Sequence, residues 1–238
     1  MENVRAISLM IAAMAAFALE DMFIKSVAAR LPAGQILIIL GLGGGIIFAF
    51  WAARQGHSVF HRTFLARSVM LRNAGEASGT MGFVLAITLT PLAEASAILQ
   101  ATPLAVTLGA ALFLGEAVGW RRWAAILVGF CGVLLIIRPG LDGFEPASLF
   151  AVQGVIGLAI RDLATRVVPK DIPTTQLSAY GFLTVVPVGF FMLAFQQPPA
   201  MPDAWEATQL SLGLIIGVLG YYAITAAMRI GDVAVVTP

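Results

Sequence analysis

Charge is scarce in this sequence. Asp, Glu, Lys and Arg make up 11% of the 238 residues, against roughly 25% in an ordinary soluble domain. Fourteen basic and thirteen acidic residues leave a net charge of +1, which excludes the broad basic field of a nucleic-acid binder. The single cysteine, Cys131, excludes a disulfide framework and any Cys/His zinc spacing. His57 and His61 are four apart, but they sit in a basic stretch with no third ligand, so a headgroup-facing loop accounts for them. The spans carry no HExxH, GxSxG or Ser/His pair, and no GxxxxGK[ST] supports ATP use. The chain therefore reads as a non-enzyme without a cofactor. What it has instead is apolar surface: 59% of its residues are hydrophobic and its mean hydropathy is +0.92, so its solvent is the lipid bilayer.

A helix needs about 20 mostly apolar residues to cross the hydrocarbon core. Such stretches fall near 5–27, 33–53, 69–89, 94–114, 119–138, 147–167, 175–195 and 208–228, and a ninth begins near Asp232 and stops at Pro238. Glu20, Asp21 and Lys25, with no small-residue cleavage site, argue that the first stretch is a span and not a removable signal. Arg5, Arg54, Arg62, Arg67, Arg121, Arg122, Arg166, Lys170 and Arg229 then fall on one side of the membrane. Lys25, Arg30, Arg138 and two acidic loops, 142–145 between prolines and the proline-bearing 198–206, fall on the other. The positive-inside bias makes the amino terminus cytoplasmic, in a multi-pass protein of the inner membrane.

Sliding the chain on itself by 141 positions aligns AlaLeuGluAspMetPheIleLys at 18–25 with AlaIleArgAspLeuAlaThrArg at 159–166, without a gap. Asp21 pairs with Asp162, Pro32 with Pro173, Gln35 with Gln176 and Gly79 with Gly220. Matches among Ala, Val and Leu mean little in so apolar a chain, but Asp, Pro and Gln in one register carry weight. Five spans separate the copies, so the second enters from the opposite face: an inverted repeat, as in many secondary transporters. The expected fold is an all-α membrane bundle of five plus five helices, with a first repeat over 1–140 and a second over 141–238. The counterpart of 98–140 is absent, so the second repeat is expected to be truncated after the start of the ninth helix.

ProLeuAlaGluAlaSerAla at 91–97, LeuGlyGluAlaValGlyTrpArgArgTrp at 114–123 and GlyPheCysGlyValLeuLeuIle at 129–136 together resemble the EamA-type carriers of the drug/metabolite transporter superfamily. That resemblance implies ten spans in an inverted repeat and a solute site at mid-membrane between the halves. It implies secondary transport of an amino acid or similar small-molecule solute, with export as the leading direction. Uptake of a vitamin such as riboflavin is the alternative, and a non-transporting membrane subunit is the alternative of another class. A second copy of the chain, as a homodimer, is a candidate partner.

Ionisable residues inside spans are expensive and mark function by default. Glu20, Asp21 and Glu76 are candidate solute contacts on that ground, with Arg161 and Asp162 in the sixth span. Gln100 precedes Pro103, where a proline frees a backbone carbonyl that can line a cavity, and Tyr221 and Tyr222 offer aromatic and hydroxyl surface at mid-span. Arg72 lies beside the basic loop, and its position there accounts for it. Gly41, Gly43, Gly44 and Gly45 fit close helix packing. Asp21 and Lys25, and their counterparts Asp162 and Arg166, are each four apart with the acid first, the favourable order for an intrahelical pair. Inversion places these two pairs at opposite faces, as candidate gates.

Overall fold

A computed structural model describes residues 2–59, 61–116, 118–138 and 145–230. The expected start of a ninth span near Asp232 lies outside the described residues. Among the described residues nine α-helices follow in order: α1 (Glu2–Val27), α2 (Ala33–Arg54), α3 (Arg67–Leu89), α4 (Leu92–Leu99), α5 (Thr102–Phe113), α6 (Trp120–Ile137), α7 (Ser148–Val167), α8 (Thr174–Leu193) and α9 (Ala204–Ile230). α4 and α5 together make the fourth span, so each of the eight expected spans has its helical passage. Among the described residues, seven passages are long and apolar enough to cross a membrane. α3 is the eighth: its 23 residues reach about 34 Å at about 1.5 Å per residue, but Arg72, Asn73 and Glu76 lower its apolarity.

Local sequence sets the helix ends. Pro32 and Pro173 hold the extended backbone just before α2 and α8, and Pro91 does the same before α4. Asp203 and Glu206 form a capping box on α9: Asp203 Oδ1 accepts the Glu206 N–H at 2.8 Å and Glu206 Oε2 accepts the Asp203 N–H at 2.9 Å. Arg30, in the α1–α2 connection, donates to both Glu206 carboxylate oxygens and, at 3.0 Å, to the Met201 carbonyl. That bond to Glu206 raises the Arg30 pKa above its ordinary value. The fourth span breaks at Gln100 and Ala101, and Pro103 falls in the first turn of α5, where a missing N–H costs nothing.

Helix pairing runs across the chain: α1 lies on α9, α2 on α8 and α3 on α7. Small residues bring α3 and α7 to backbone contact. A Cβ on Gly75 would stand 2.6 Å from the Arg161 nitrogen, and one on Gly82 would stand 2.6 Å from the Gly154 nitrogen. Gly34 meets the Gly189 carbonyl between α2 and α8, while Gly41, Gly44 and Gly45 receive Phe182, Leu183 and Val186 of α8. The glycine run thus packs helices, as expected from its apolar surroundings. Leu127, Val128, Leu134 and Leu135 on α6 remain exposed, an apolar face suited to lipid.

Candidate functional site

A cavity of about 670 Å³ lies among α1, α2, α3, α4, α5, α7, α8 and α9. Met10, Met14, Phe17, Phe83, Val106 and Phe182 make most of its wall apolar. Its polar lining comes from α1 (Glu20, Asp21), α3 (Glu76, Thr80), α4 (Ser96), the α4–α5 break (Gln100), α5 (Thr102), α7 (Arg161, Asp162) and α9 (Tyr221). The volume suits a drug-sized solute, and an apolar wall with a few convergent polar groups is the usual make-up of such a site.

A buried network supports one side of the cavity. Arg72 is fully buried and Glu76 is 3% exposed. Arg72 Nη2 donates to the Tyr221 hydroxyl at 2.9 Å, and that hydroxyl donates to Glu76 Oε2. Arg72 Nε donates to Thr165 Oγ1 at 3.1 Å, and Thr165 donates to the Arg161 carbonyl at 2.7 Å. Arg161 Nε donates to Asp162 Oδ1 at 2.8 Å, and its Nη1 stands 3.8 Å from Glu76 Oε1. Both guanidinium groups lie within 6 Å of the Tyr221 ring centre, at 5.7 and 5.9 Å, close enough for a cation–π attraction. Charges taken out of water need partners, and the network gives them to Arg72, Glu76, Arg161 and Asp162.

The structure brings Glu20, Asp21, Glu76, Gln100 and Tyr221 to one cavity, with Arg161 and Asp162 beside them. Tyr222 is not among the lining residues: its ring stacks on Trp51 with centroids 4.9 Å apart. Adjacent residues on a helix point about 100° apart, so only one of two neighbouring tyrosines faces inward. Arg72 is also placed differently from the expectation. It does not turn toward the loop but inward, onto Tyr221 and Thr165. Its spacing of four from Glu76 was the available signal, since both side chains meet the same tyrosine. The intrahelical pairs Asp21–Lys25 and Asp162–Arg166 are not among the ion pairs of the described residues. Lys25 Nζ donates to the Thr90 carbonyl at 2.8 Å, Asp162 takes its neighbour Arg161, and Arg166 stands 3.1 Å from Glu116. Partners on other segments for Lys25 and Arg166, and the adjacent Arg161 for Asp162, replace the weak i,i+4 pairs, worth about 0.2–0.5 kcal/mol.

The EamA-like transporter family matches residues 4–138, more than half of the chain. The chain belongs to that family. Among curated relatives, a riboflavin transporter of Vibrio cholerae is 32% identical over 150 residues, 62% of this chain and 49% of that protein. A riboflavin transporter of Rhizobium johnstonii is 31% identical over 68% of this chain and 53% of that protein. A pseudopaline exporter of Pseudomonas aeruginosa is 26% identical over 85% of this chain and 69% of that protein. The chain thus spans about half the length of the two riboflavin transporters. A solved crystal structure with 23% identity superposes with a TM-score of 0.70, covering 95% of this chain and 80% of the other, and shares the fold.

Proposed function

We propose that this chain is the solute-carrying part of a secondary transporter for a small organic metabolite. The observation that carries the reading is the cavity, where charged and polar groups from both halves of the chain converge inside an apolar wall. Binding between halves is where inverted-repeat carriers hold their solutes, and the family supports transport.

The inverted repeat is part of this proposal, and contacts at the 141-residue offset support it. Gly79 packs on Gly157 and Leu158, and its counterpart Gly220 packs on Ala16 and Phe17, their counterparts. The Gly34 N–H donates to Gln196 Oε1 at 2.8 Å, and Thr175, the counterpart of Gly34, donates to Oε1 of Gln55, the counterpart of Gln196, at 2.7 Å. Equivalent residues thus meet equivalent residues in both halves. The proposed repeats divide at 140, close to where the family match ends at 138. Lys25 on Thr90 and Arg166 on Glu116 are proposed as closures of opposite ends.

Export is the proposed direction; uptake is favoured as the second reading by relatives named S-adenosylmethionine uptake transporters in Rickettsia. The test is flux of amino acids, nucleobases and vitamins, riboflavin included, in proteoliposomes of known orientation. At least one solute should move down an imposed gradient. Failure of every solute to move, with none raising thermal stability, would remove the reading. The proposed cytoplasmic amino terminus predicts that loop 53–68 is protected from an external impermeant label in cells, while 198–204 is accessible.

A further inference from the structure

The charges around the cavity do not balance. Four carboxylates line it, those of Glu20, Asp21, Glu76 and Asp162, against the single lining guanidinium of Arg161. Counting Arg72 behind Tyr221 as well, four carboxyl groups face two guanidinium groups among the described residues. Both arginines are engaged: Arg161 by Asp162 and Glu76, Arg72 by Thr165, Tyr221 and Asn73. Glu20 and Asp21 have no cationic partner within 4 Å among the described residues.

Packing holds one of these carboxylates in place. The Glu20 carboxylate lies over Gly217 so closely that any side chain at 217 would displace it. At the 141-residue offset, Glu20 corresponds to Arg161 and Gly217 to Glu76. In one half the helix crossing is bridged by an ion pair; in the other a carboxylate faces a bare glycine and open cavity. A positive charge is what the second crossing lacks.

We propose that Glu20 and Asp21 are the binding subsite for the cationic group of the solute, and that the carried solute is an organic monocation with a flat apolar body. The assignment rests on the carrier reading and narrows its substrate class. An ammonium or similar group supplies the missing partner at Glu20 and Asp21. The body of the solute lies against Phe17, Phe83 and Phe182, where aromatic surface gains most from burial. An added carboxylate on the solute finds no free guanidinium, because both are already bonded, so zwitterions and anions are disfavoured.

Four indoles that share a ring and differ in side-chain charge test this: tryptamine, tryptophol, tryptophan and indole-3-acetate. Binding is measured calorimetrically on the purified 238-residue chain near neutral pH, in sodium and in potassium buffer of equal ionic strength. Tryptamine should bind about ten- to a hundredfold more tightly than tryptophol, the range expected of one hydrogen-bonded charge, and indole-3-acetate most weakly. Glu20→Gln and Asp21→Asn should each narrow the gap between tryptamine and tryptophol, with the larger loss on tryptamine. Equal affinities across the series, or none, overturn the assignment. A sodium dependence with the four indoles indistinguishable overturns it in favour of an inorganic ion. Equal binding of tryptamine and tryptophol leaves the carrier reading standing, whereas absent flux removes the carrier without erasing a charge preference measured at equilibrium.

Discussion

Glu20 on α1 rests against Gly217 on α9, while Arg161 on α7 stands 3.8 Å from Glu76 on α3. Each residue of the first pair is 141 positions from one of the second, so under the proposed repeat one kind of helix crossing occurs twice with different chemistry. One crossing is bridged by charge. The other leaves a carboxylate facing the cavity.

The α3–α7 contact has no room for a methyl group. A Cβ on Gly157 would strike the Gly79 backbone and come within 2.9 Å of the Gly75 carbonyl. Gly157→Ala should therefore separate the helices and cost about 1–3 kcal/mol, the range for overpacking. Gly132→Ala, with open space around it, should leave the melting temperature unchanged. Thermal unfolding of both variants in detergent checks this, and equal melting temperatures would refute it.

Tyr221 is the shared partner of Arg72 and Glu76. Tyr221→Phe keeps the ring and removes both hydrogen bonds, so it should destabilise by about 1–3 kcal/mol. Arg72→Ala removes the donor to Thr165, Asn73 and Tyr221 together and should cost more than Tyr221→Phe. Tyr222→Phe, whose ring contact with Trp51 does not need the hydroxyl, should unfold like the parent chain. A chemical-denaturation series ranks the three, and a Tyr222 effect as large as that of Tyr221 would contradict the assignment.

Asp21 and Asp162, counterparts in the proposed repeat, have unequal partners. Asp162→Asn leaves Arg161 with only the longer Glu76 contact, and should lower stability clearly. Asp21→Asn removes a carboxylate with no cationic partner among the described residues, and should leave stability equal or higher. The comparison is one of melting temperatures without solute. A larger loss for Asp21→Asn would mean that it has a partner in the folded protein.

The helices were legible because a lipid solvent demands long apolar runs, and the fourth span's break was signalled by Pro103. Glu20, Asp21, Glu76, Gln100 and Tyr221 were legible as cavity residues because polar groups inside such runs are costly. Arg72 was not, since nearness to a basic loop is equally consistent with an arginine facing in or out, and the packing of α7 and α9 decides. The partners of Lys25 and Arg166 were likewise hidden: both lie on segments far along the chain, and spacing within one helix reports nothing about them. Tyr221 and Tyr222 are indistinguishable in type, and helix rotation separates them.

The cross-chain pairing of α1 with α9, α2 with α8 and α3 with α7 has a consequence for biogenesis. When synthesis has reached the end of α6, Arg72 and Glu76 on α3 have been made, but Thr165, Arg161 and Tyr221 have not. At that stage α3 is a poor guest of the bilayer, and we expect it to wait at the membrane surface or in the insertion machinery until α7 and α9 emerge. Translation intermediates arrested near residue 145 should leave a cysteine placed on α3, in a Cys131→Ser background, open to an aqueous label. Intermediates carrying all of α9 beyond the ribosome should protect it. Equal protection at both lengths would show that α3 enters the membrane without its partners.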